Sequence, residues 1–335
     1  MSKSMHCVIY RQKGAANTVL ELVERPIPAI SKGEVRVRLM TSGVNPSDVK
    51  MRAGAGNNTA EMPFPEVTPH SDGAGIIDAV ANDVTSHNIG DRVYVFNAGW
   101  RRAHGTAAEY VCLPAHQVIA LPTETSFTHG ACLGIPAMTA AHAVLSQRQT
   151  ENSTVLVSGG GGVVGRYAVQ MAKAAGAKTV VATASNALSM ETAAKAGADH
   201  VLNYQMDDLA TAIMDLTGGV DHAIEPEFGV NAEMLAAVLN ESGSIATYGS
   251  ALVMRPEIPF YPLMFKNITL TMMVVYLLNT SDRNRAAAAI DSWLKSNSMS
   301  SLIAQQYPLA EAAKAHQIVE QGGKAGSVIL TIADE

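Results

Sequence analysis

A run of glycines carries the first chemical signal in this chain. Residues 155–165 read Val-Leu-Val-Ser-Gly-Gly-Gly-Gly-Val-Val-Gly, so Gly160, Gly162 and Gly165 fit G-x-G-x-x-G. A β-branched run precedes the glycines and a helical pattern over 166–175 follows. In that context the first glycine permits a tight turn and the second lets backbone approach a pyrophosphate. The third lets helix and strand pack closely. Amide groups at the helix start favour a bound anion. Without the flanking strand and helix, the same spacing is only a turn. With them, it reads as a dinucleotide site.

The next strand's end bears on which dinucleotide. A fold that prefers NAD places an acid about 20 residues further on, to hold the ribose hydroxyls. Here that neighbourhood is Ala182-Thr-Ala-Ser-Asn186, and the nearest acid, Glu191, falls inside the next helical pattern. A carboxylate would repel a 2′-phosphate, so its absence admits NADP. Thr183, Ser185 and Asn186 offer neutral hydrogen bonds, although ordinary helix capping would use the same residue types. No Arg or Lys follows closely, and Lys195 lies a turn or more too far. The expected cofactor is NADPH.

Metal chemistry has one apparent candidate, Cys112-x3-His116 followed by His129-x2-Cys132. Cys112 sits in a β-type run, where a free cysteine behaves as a small hydrophobe, and Cys132 sits in an apolar helical stretch. The ten histidines form no H-E-x-x-H or other clustered pattern. No metal site is expected.

The elements that must position these residues fall into two rhythms. The first third reads as short β-type runs at 7–10, 19–23, 34–40, 73–80, 91–96, 107–113 and 118–121, with Pro26, Pro28 and Gly33 between early ones. That spacing suggests an irregular β-barrel. After a helical stretch at 128–147, broken at 134–136, strands at 154–157, 179–184, 200–203, 221–225, 244–248 and 268–275 alternate with helices. This is the pattern of a doubly wound parallel sheet, an α/β fold. A helix near 285–295, a segment at 304–309, a helix near 310–320 and a strand at 327–332 follow. The expected division is 1–126, 127–277 and a returning segment, 278–335.

Bulk properties narrow the function classes. With 335 residues, 47% apolar and 16% charged, the chain is globular and long enough for two domains. Its net charge of −6 leaves no electrostatic footprint for nucleic acid. Three cysteines give no disulfide framework, and the first residues, Met-Ser-Lys-Ser-Met-His, lack an apolar signal region. The longest apolar run, near 270–278, is about half the ~20 residues a membrane helix needs. A soluble cytoplasmic protein is expected.

Taken together, several motifs resemble the medium-chain dehydrogenase/reductase superfamily, in its zinc-independent quinone oxidoreductase (zeta-crystallin-like) branch. They are Asn45-Pro-Ser-Asp48 with Arg52-Ala-Gly54, Ser71-Asp-Gly-Ala-Gly75 and Gly90-Asp-Arg-Val93. Gly105-Thr-Ala-Ala-Glu-Tyr110, Leu133-Gly-Ile-Pro-Ala-Met-Thr-Ala140, Gly197-Ala-Asp-His-Val-Leu-Asn-Tyr204 and Gln306-Tyr-Pro-Leu309 extend the likeness over nearly the whole chain. The resemblance implies a GroES-like barrel as the catalytic domain, a Rossmann cofactor domain, and a cleft between them. It implies pyrophosphate contacts from Gly160, Gly161, Gly162, Val163 and Val164, and places Ser185 and Tyr204 by the 2′-phosphate. Asn231, Tyr248, Gly249 and Ser250 would flank the strand ends. Met273, Val274 and Val275 would border the nicotinamide amide, with Asn45 and Thr139 at the reactive end.

Two departures matter. Zinc-dependent relatives carry Cys and His at the positions of Asn45 and Ser71, and the four-cysteine lobe is absent from 97–105. A catalytic zinc needs about three protein ligands, and Asp72 alone does not supply them. Many relatives also carry an aromatic residue at the position of Lys50. The expected reaction is therefore metal-free hydride transfer from NADPH to a quinone or a carbonyl-conjugated alkene. Asn45 would donate to the developing negative oxygen, with Lys50 and Arg52 adding positive charge if they face it. Lys50 would tilt the preference toward acceptors bearing a carboxylate. The alternatives are a zinc alcohol dehydrogenase, or a nucleotide-binding protein with a structural or RNA-binding role. If the strand at 268–275 is a sheet edge, it invites a two-fold dimer, with a pair of dimers left open.

Overall fold

The first strand alternates polar and apolar side chains over its first half, and the structure buries its apolar face. This computed structural model describes residues 4–54, 61–146 and 150–333. In β1 (Ser4–Ile9), Met5, Cys7 and Ile9 point inward while Ser4 and His6 are exposed. It pairs antiparallel with β2 (Glu21–Pro26). Next come β3 (Glu34–Val44), β4 (Asp72–Val80), β5 (Arg92–Val95), β6 (Tyr110–Pro114) and β7 (Val118–Ala120). Val35, Val37, Leu39, Ile77, Val93, Val95, Val111 and Leu113 form the core of this sheet.

The parallel strands follow as β8 (Thr154–Val157), β9 (Thr179–Ala184), β10 (His200–Asn203), β11 (Val220–Glu225), β12 (Leu239–Thr247) and β13 (Thr269–Met272). Their order in the sheet is β10-β9-β8-β11-β12-β13. The strand sequence reverses direction between β8 and β11, so the sheet is doubly wound. Leu156, Val181, Ala223 and Ile245 from these strands, with Phe228 and Leu235, are fully or almost fully buried in its core. The chain then returns through β14 (Ile303–Pro308) and β15 (Ser327–Thr331) to the first sheet. That sheet runs β14-β15-β3-β4-β5-β7, with β6 also paired to β3.

The chain divides into one unit of Met1–Ile135 with Ser301–Glu335 and another of Pro136–Ser300. These bounds differ from 126/127 and 277/278, and local contacts give the reason. Thr41 Oγ1 donates to the Phe127 carbonyl at 2.7 Å, which ties the chain beyond 126 to the barrel. At the other end, Gln170 Oε1 accepts from the Ser300 amide at 2.9 Å, which keeps Ser300 with the parallel sheet. The break expected at 134–136 is a π-helical turn, Leu133–Ala137, between helices Phe127–Gly130 and Met138–Leu145. Gln147, expected at that stretch's end, lies outside the described residues.

β13 is shorter than the 268–275 expected. Its partner β12 ends at Thr247, whose carbonyl takes one last bond from Met273 N at 2.8 Å. Val275 therefore starts a 3₁₀ turn, Val275–Leu277, rather than ending a strand. β13 does lie at the sheet edge. Among the described residues no helix is long and apolar enough to cross a membrane.

Candidate functional site

In the parallel-sheet unit, β8, β9, β11, β12 and β13 all end on one side, next to the switch between β8 and β11. The glycine loop follows β8. Its left-handed residue is Gly159, with φ of 66°, rather than Gly160. Gly160 instead lies under β9, where a Cβ would come within 2.6 Å of the Ala182 Cβ. A Cβ at Gly161 would meet the Ser189 carbonyl at 2.2 Å, and one at Gly165 would meet the Gly159 carbonyl at 2.2 Å. These three glycines let chain segments touch. Gly162 differs: it is exposed, and a Cβ there would meet only the Gly159 carbonyl, at 3.3 Å. It is the N-cap of the helix Val163–Ala174. The amides of Val163 and Val164 lie in that helix's first turn, which lacks intrahelical acceptors. A phosphate fits here, at an exposed N-cap glycine that opens a helix.

Beyond β9, Ser185 is half-buried, and Asn186 caps the helix Ala187–Lys195 by accepting from Ser189 N at 3.0 Å. Tyr204 N donates to the Ala184 carbonyl at 3.0 Å, which brings Tyr204 beside the end of β9 with 49% of it exposed. Glu191 is exposed and paired with Lys195 at 2.6 Å, so no carboxylate stands at the strand end itself. This arrangement fits an adenosine carrying a 2′-phosphate.

Several expected cofactor contacts already serve inside the protein. Asn231 Nδ2 donates to Glu225 Oε1 at 2.9 Å, and Ser250 Oγ accepts from Gly229 N at 3.0 Å while donating to the Val253 carbonyl at 2.6 Å. Tyr248 N donates to the Glu225 carbonyl at 3.1 Å, and a Cβ at Gly249 would strike the Pro226 carbonyl at 2.3 Å. Met273 follows the end of β13, Val274 is exposed, and Val275 and Thr139 are buried. Glu225 was not singled out by the sequence. It ends β11 fully buried, and burial holds its carboxyl above the usual range.

In the barrel unit, Asn45 joins the end of β3 to the helix Pro46–Ala53. Pro46 at the first helical position needs no amide partner, which suits it to start the helix. Asn45 N donates to Asp48 Oδ2 at 2.8 Å, and Asn45 Nδ2 donates to Asp72 Oδ2 at 2.7 Å. Asp72 also accepts from Ile135 N, at 2.8 and 2.9 Å to its two oxygens. Burial holds Asp72 well above the usual carboxylate range and raises Asp48 to about 7. The sequence reading treated Asp72 only as an insufficient metal ligand, and its two donors lie 27 and 63 residues away.

Lys50 and Arg52 separate. The Lys50 side chain is exposed and makes no hydrogen bond or ion pair among the described residues. Arg52 is 0% exposed; it donates to the Gly14 carbonyl and pairs with Glu320. Its guanidinium is an internal tie with no surface to offer a substrate, contrary to the catalytic expectation.

A polar chain lies alongside. Thr106 Oγ1 donates to the Asp72 carbonyl at 2.6 Å and sits 2.8 Å from Ser42 Oγ. His70 Nδ1 lies 2.9 Å from Ser42 Oγ, and His70 Nε2 lies 2.9 Å from His316 Nε2. Burial lowers both imidazoles, His70 well below 6.5 and His316 to about 3.

Catalytic zinc does not fit these residues. Among the described residues no group of three or more His, Cys, Asp or Glu could hold a metal. Cys112 and Cys132 are buried; Cys112 Sγ donates to the Pro28 carbonyl at 3.6 Å and Cys132 Sγ to the Thr128 carbonyl at 3.5 Å.

Comparison with known proteins gives consistent matches. The family described as alcohol dehydrogenase GroES-like domain matches residues 31–123, and that described as zinc-binding dehydrogenase matches 163–292. A quinone oxidoreductase of Pongo abelii is 30% identical over 313 residues, covering 92% of this chain and 91% of the relative. A 2-haloacrylate reductase of a Burkholderia species is 28% identical over 335 residues, covering 97% and 98%. A mycobacterial protein solved in complex with NADPH superposes with a TM-score of 0.84 at 27% identity, covering 98% of this chain and all of that one (100%).

Proposed function

The chain belongs to the medium-chain dehydrogenase/reductase superfamily, in its quinone oxidoreductase branch, and from that premise we propose zinc-independent reduction of quinones or carbonyl-conjugated alkenes. It is an NADPH-dependent oxidoreductase. The observation that carries the cofactor reading is the pairing of an exposed Gly162 at a helix start with a strand end that presents Ser185 and Tyr204 and no acid. Gly162, Val163 and Val164 would hold the pyrophosphate, and Ser185 and Tyr204 the 2′-phosphate. Met273, Val274, Val275 and Thr139 stay in the proposal as the nicotinamide end. Asn231 and Ser250 support neighbouring backbone and carboxyl groups.

When bound, reduced nicotinamide supplies the hydride. The protein's task is to orient the acceptor and to meet the charge that forms on its oxygen. Asn45 has two amide N–H bonds and spends one on Asp72. The other would donate to that oxygen. Lys50 is the accessible cation, and its exposure supports the reading that it favours acceptors with a carboxylate. The 2-haloacrylate reductase among the relatives, named for such a substrate, supports the same preference.

We also propose a homodimer through β13. That edge exposes Met272 at 66%, and Phe260, Tyr261, Phe265 and Leu277 of the same unit are exposed as well. An apolar edge with open backbone groups favours pairing with a second copy. Three buried free thiols, at Cys7, Cys112 and Cys132, support a cytoplasmic setting. An acceptor panel followed at 340 nm tests the reaction. Quinones and conjugated alkenes should oxidise NADPH; a protein that binds NADPH yet turns over no acceptor would have another function.

A further inference from the structure

We propose that Asp72 is a positioning residue, which sets the plane of the Asn45 amide for the reducing step. This rests on the assignment of Asn45 as the donor to the acceptor oxygen. An asparagine amide swings broadly about its last torsion, so the residue alone selects no orientation. Asp72 selects one. Its Oδ2 takes Asn45 Nδ2 at 2.7 Å while Ile135 N donates to the same carboxyl, so the amide nitrogen faces Asp72. With one N–H fixed, planarity fixes the other.

The carboxyl is itself held rigidly. Both oxygens lie within 2.9 Å of Ile135 N. A Cβ on Gly134 would fall 2.1 Å from Asp72 Oδ1, and one on Gly43 would fall 3.3 Å from Asp72 Cβ. The two glycines leave a slot that the carboxyl fills. Asp48 holds the other side of the residue: its carboxyl accepts from Asn45 N, and its backbone amide faces the Asn45 side chain in a capping box, leaving Asp72 to hold the amide nitrogen. The carboxyl is 1% exposed, so bulk water does not compete for it. Beyond an acceptor for Ile135 N, it supplies one for the Asn45 amide.

A double-mutant cycle tests this with the full-length protein, NADPH and one quinone. Asn45→Ala and Asp72→Asn are each expected to lower kcat by about tenfold or more, with NADPH affinity by fluorescence unchanged within about twofold. In the Asn45→Ala background, Asp72→Asn should lower kcat no further. If Asp72→Asn costs the same in both backgrounds, its role is structural and the proposal fails alone. If Asn45→Ala keeps wild-type kcat, the reading of Asn45 falls and takes the proposal with it. Should Asp72→Asn fail to fold, Asp72→Ser, which adds no N–H opposite Ile135, completes the same cycle.

Discussion

At the level of single residues, Asn45 would serve the proposed reduction and Lys50 the choice of acceptor. Removing the Asn45 donor should lower kcat by roughly 100-fold, the lower end of the range for one oxyanion donor. Lys50→Ala should raise KM for carboxylate-bearing acceptors and leave neutral quinones nearly unchanged, measured as NADPH oxidation at 340 nm. Equal losses on both classes would remove Lys50 from substrate recognition. The cap position of Asn45 was legible because an asparagine directly before a proline is a local helix-start signal. The fate of Arg52 was not. Its partner Glu320 lies 268 residues away, and no local pattern announces that an arginine two residues after Lys50 is wholly enclosed. Asp72 escaped for the same reason, since its role exists only once β4 lies beside Asn45 and Ile135.

At the level of elements, the glycine loop and the end of β9 make separable predictions. Gly162→Leu should raise the NADPH dissociation constant by about tenfold or more while lowering the melting temperature less than Gly165→Ala, because a Cβ at Gly162 meets only the Gly159 carbonyl, at 3.3 Å. Gly165→Ala should lower stability by roughly 1–3 kcal/mol through overpacking against Gly159. Calorimetric titration and thermal melts distinguish the two effects. Ser185→Asp should shift preference from NADPH toward NADH by on the order of tenfold, from one like charge near the 2′-phosphate. An unchanged ratio would place the 2′-phosphate elsewhere. The strands and the glycine spacing were readable because period-2 alternation and buried apolar runs are local signals. The division of labour among the glycines was not, since it depends on Ala182 and Ser189, which fold over the loop from the following strand and helix.

At the level of the whole molecule, acidity and assembly are the measurable properties. His70 and His316 are held neutral, so below about pH 6.5 the unfolded chain binds more protons at these positions than the folded one. Stability therefore falls as pH drops through 6.5 toward 3. Asp48 and Asp72 act with the opposite sign, because their raised values make the folded state bind more protons between about 4 and 7. The groups facing the imidazole pair are Ser42, Arg52 and, through Arg52, Glu320. A His316→Gln variant should accordingly show a shallower loss of melting temperature between pH 6.5 and 4.5; an unchanged slope would place the acid sensitivity in other groups. For assembly, Met272→Lys on the β13 edge should shift the sedimentation profile toward monomer, and an unaltered profile would move the interface elsewhere. The two-unit architecture was visible in the change of rhythm after the barrel strands. Its exact boundaries were not, because they follow tertiary ties at Phe127 and Ser300.

The central claim is that this protein passes hydride from NADPH to a quinone or conjugated alkene with no metal. The most direct measurement is the rate of NADPH oxidation with a quinone after exhaustive treatment with a zinc chelator, with metal content determined on the same sample. The account predicts acceptor-dependent oxidation at the untreated rate in protein carrying no stoichiometric zinc. Activity that disappears on chelation and returns with added zinc would contradict it.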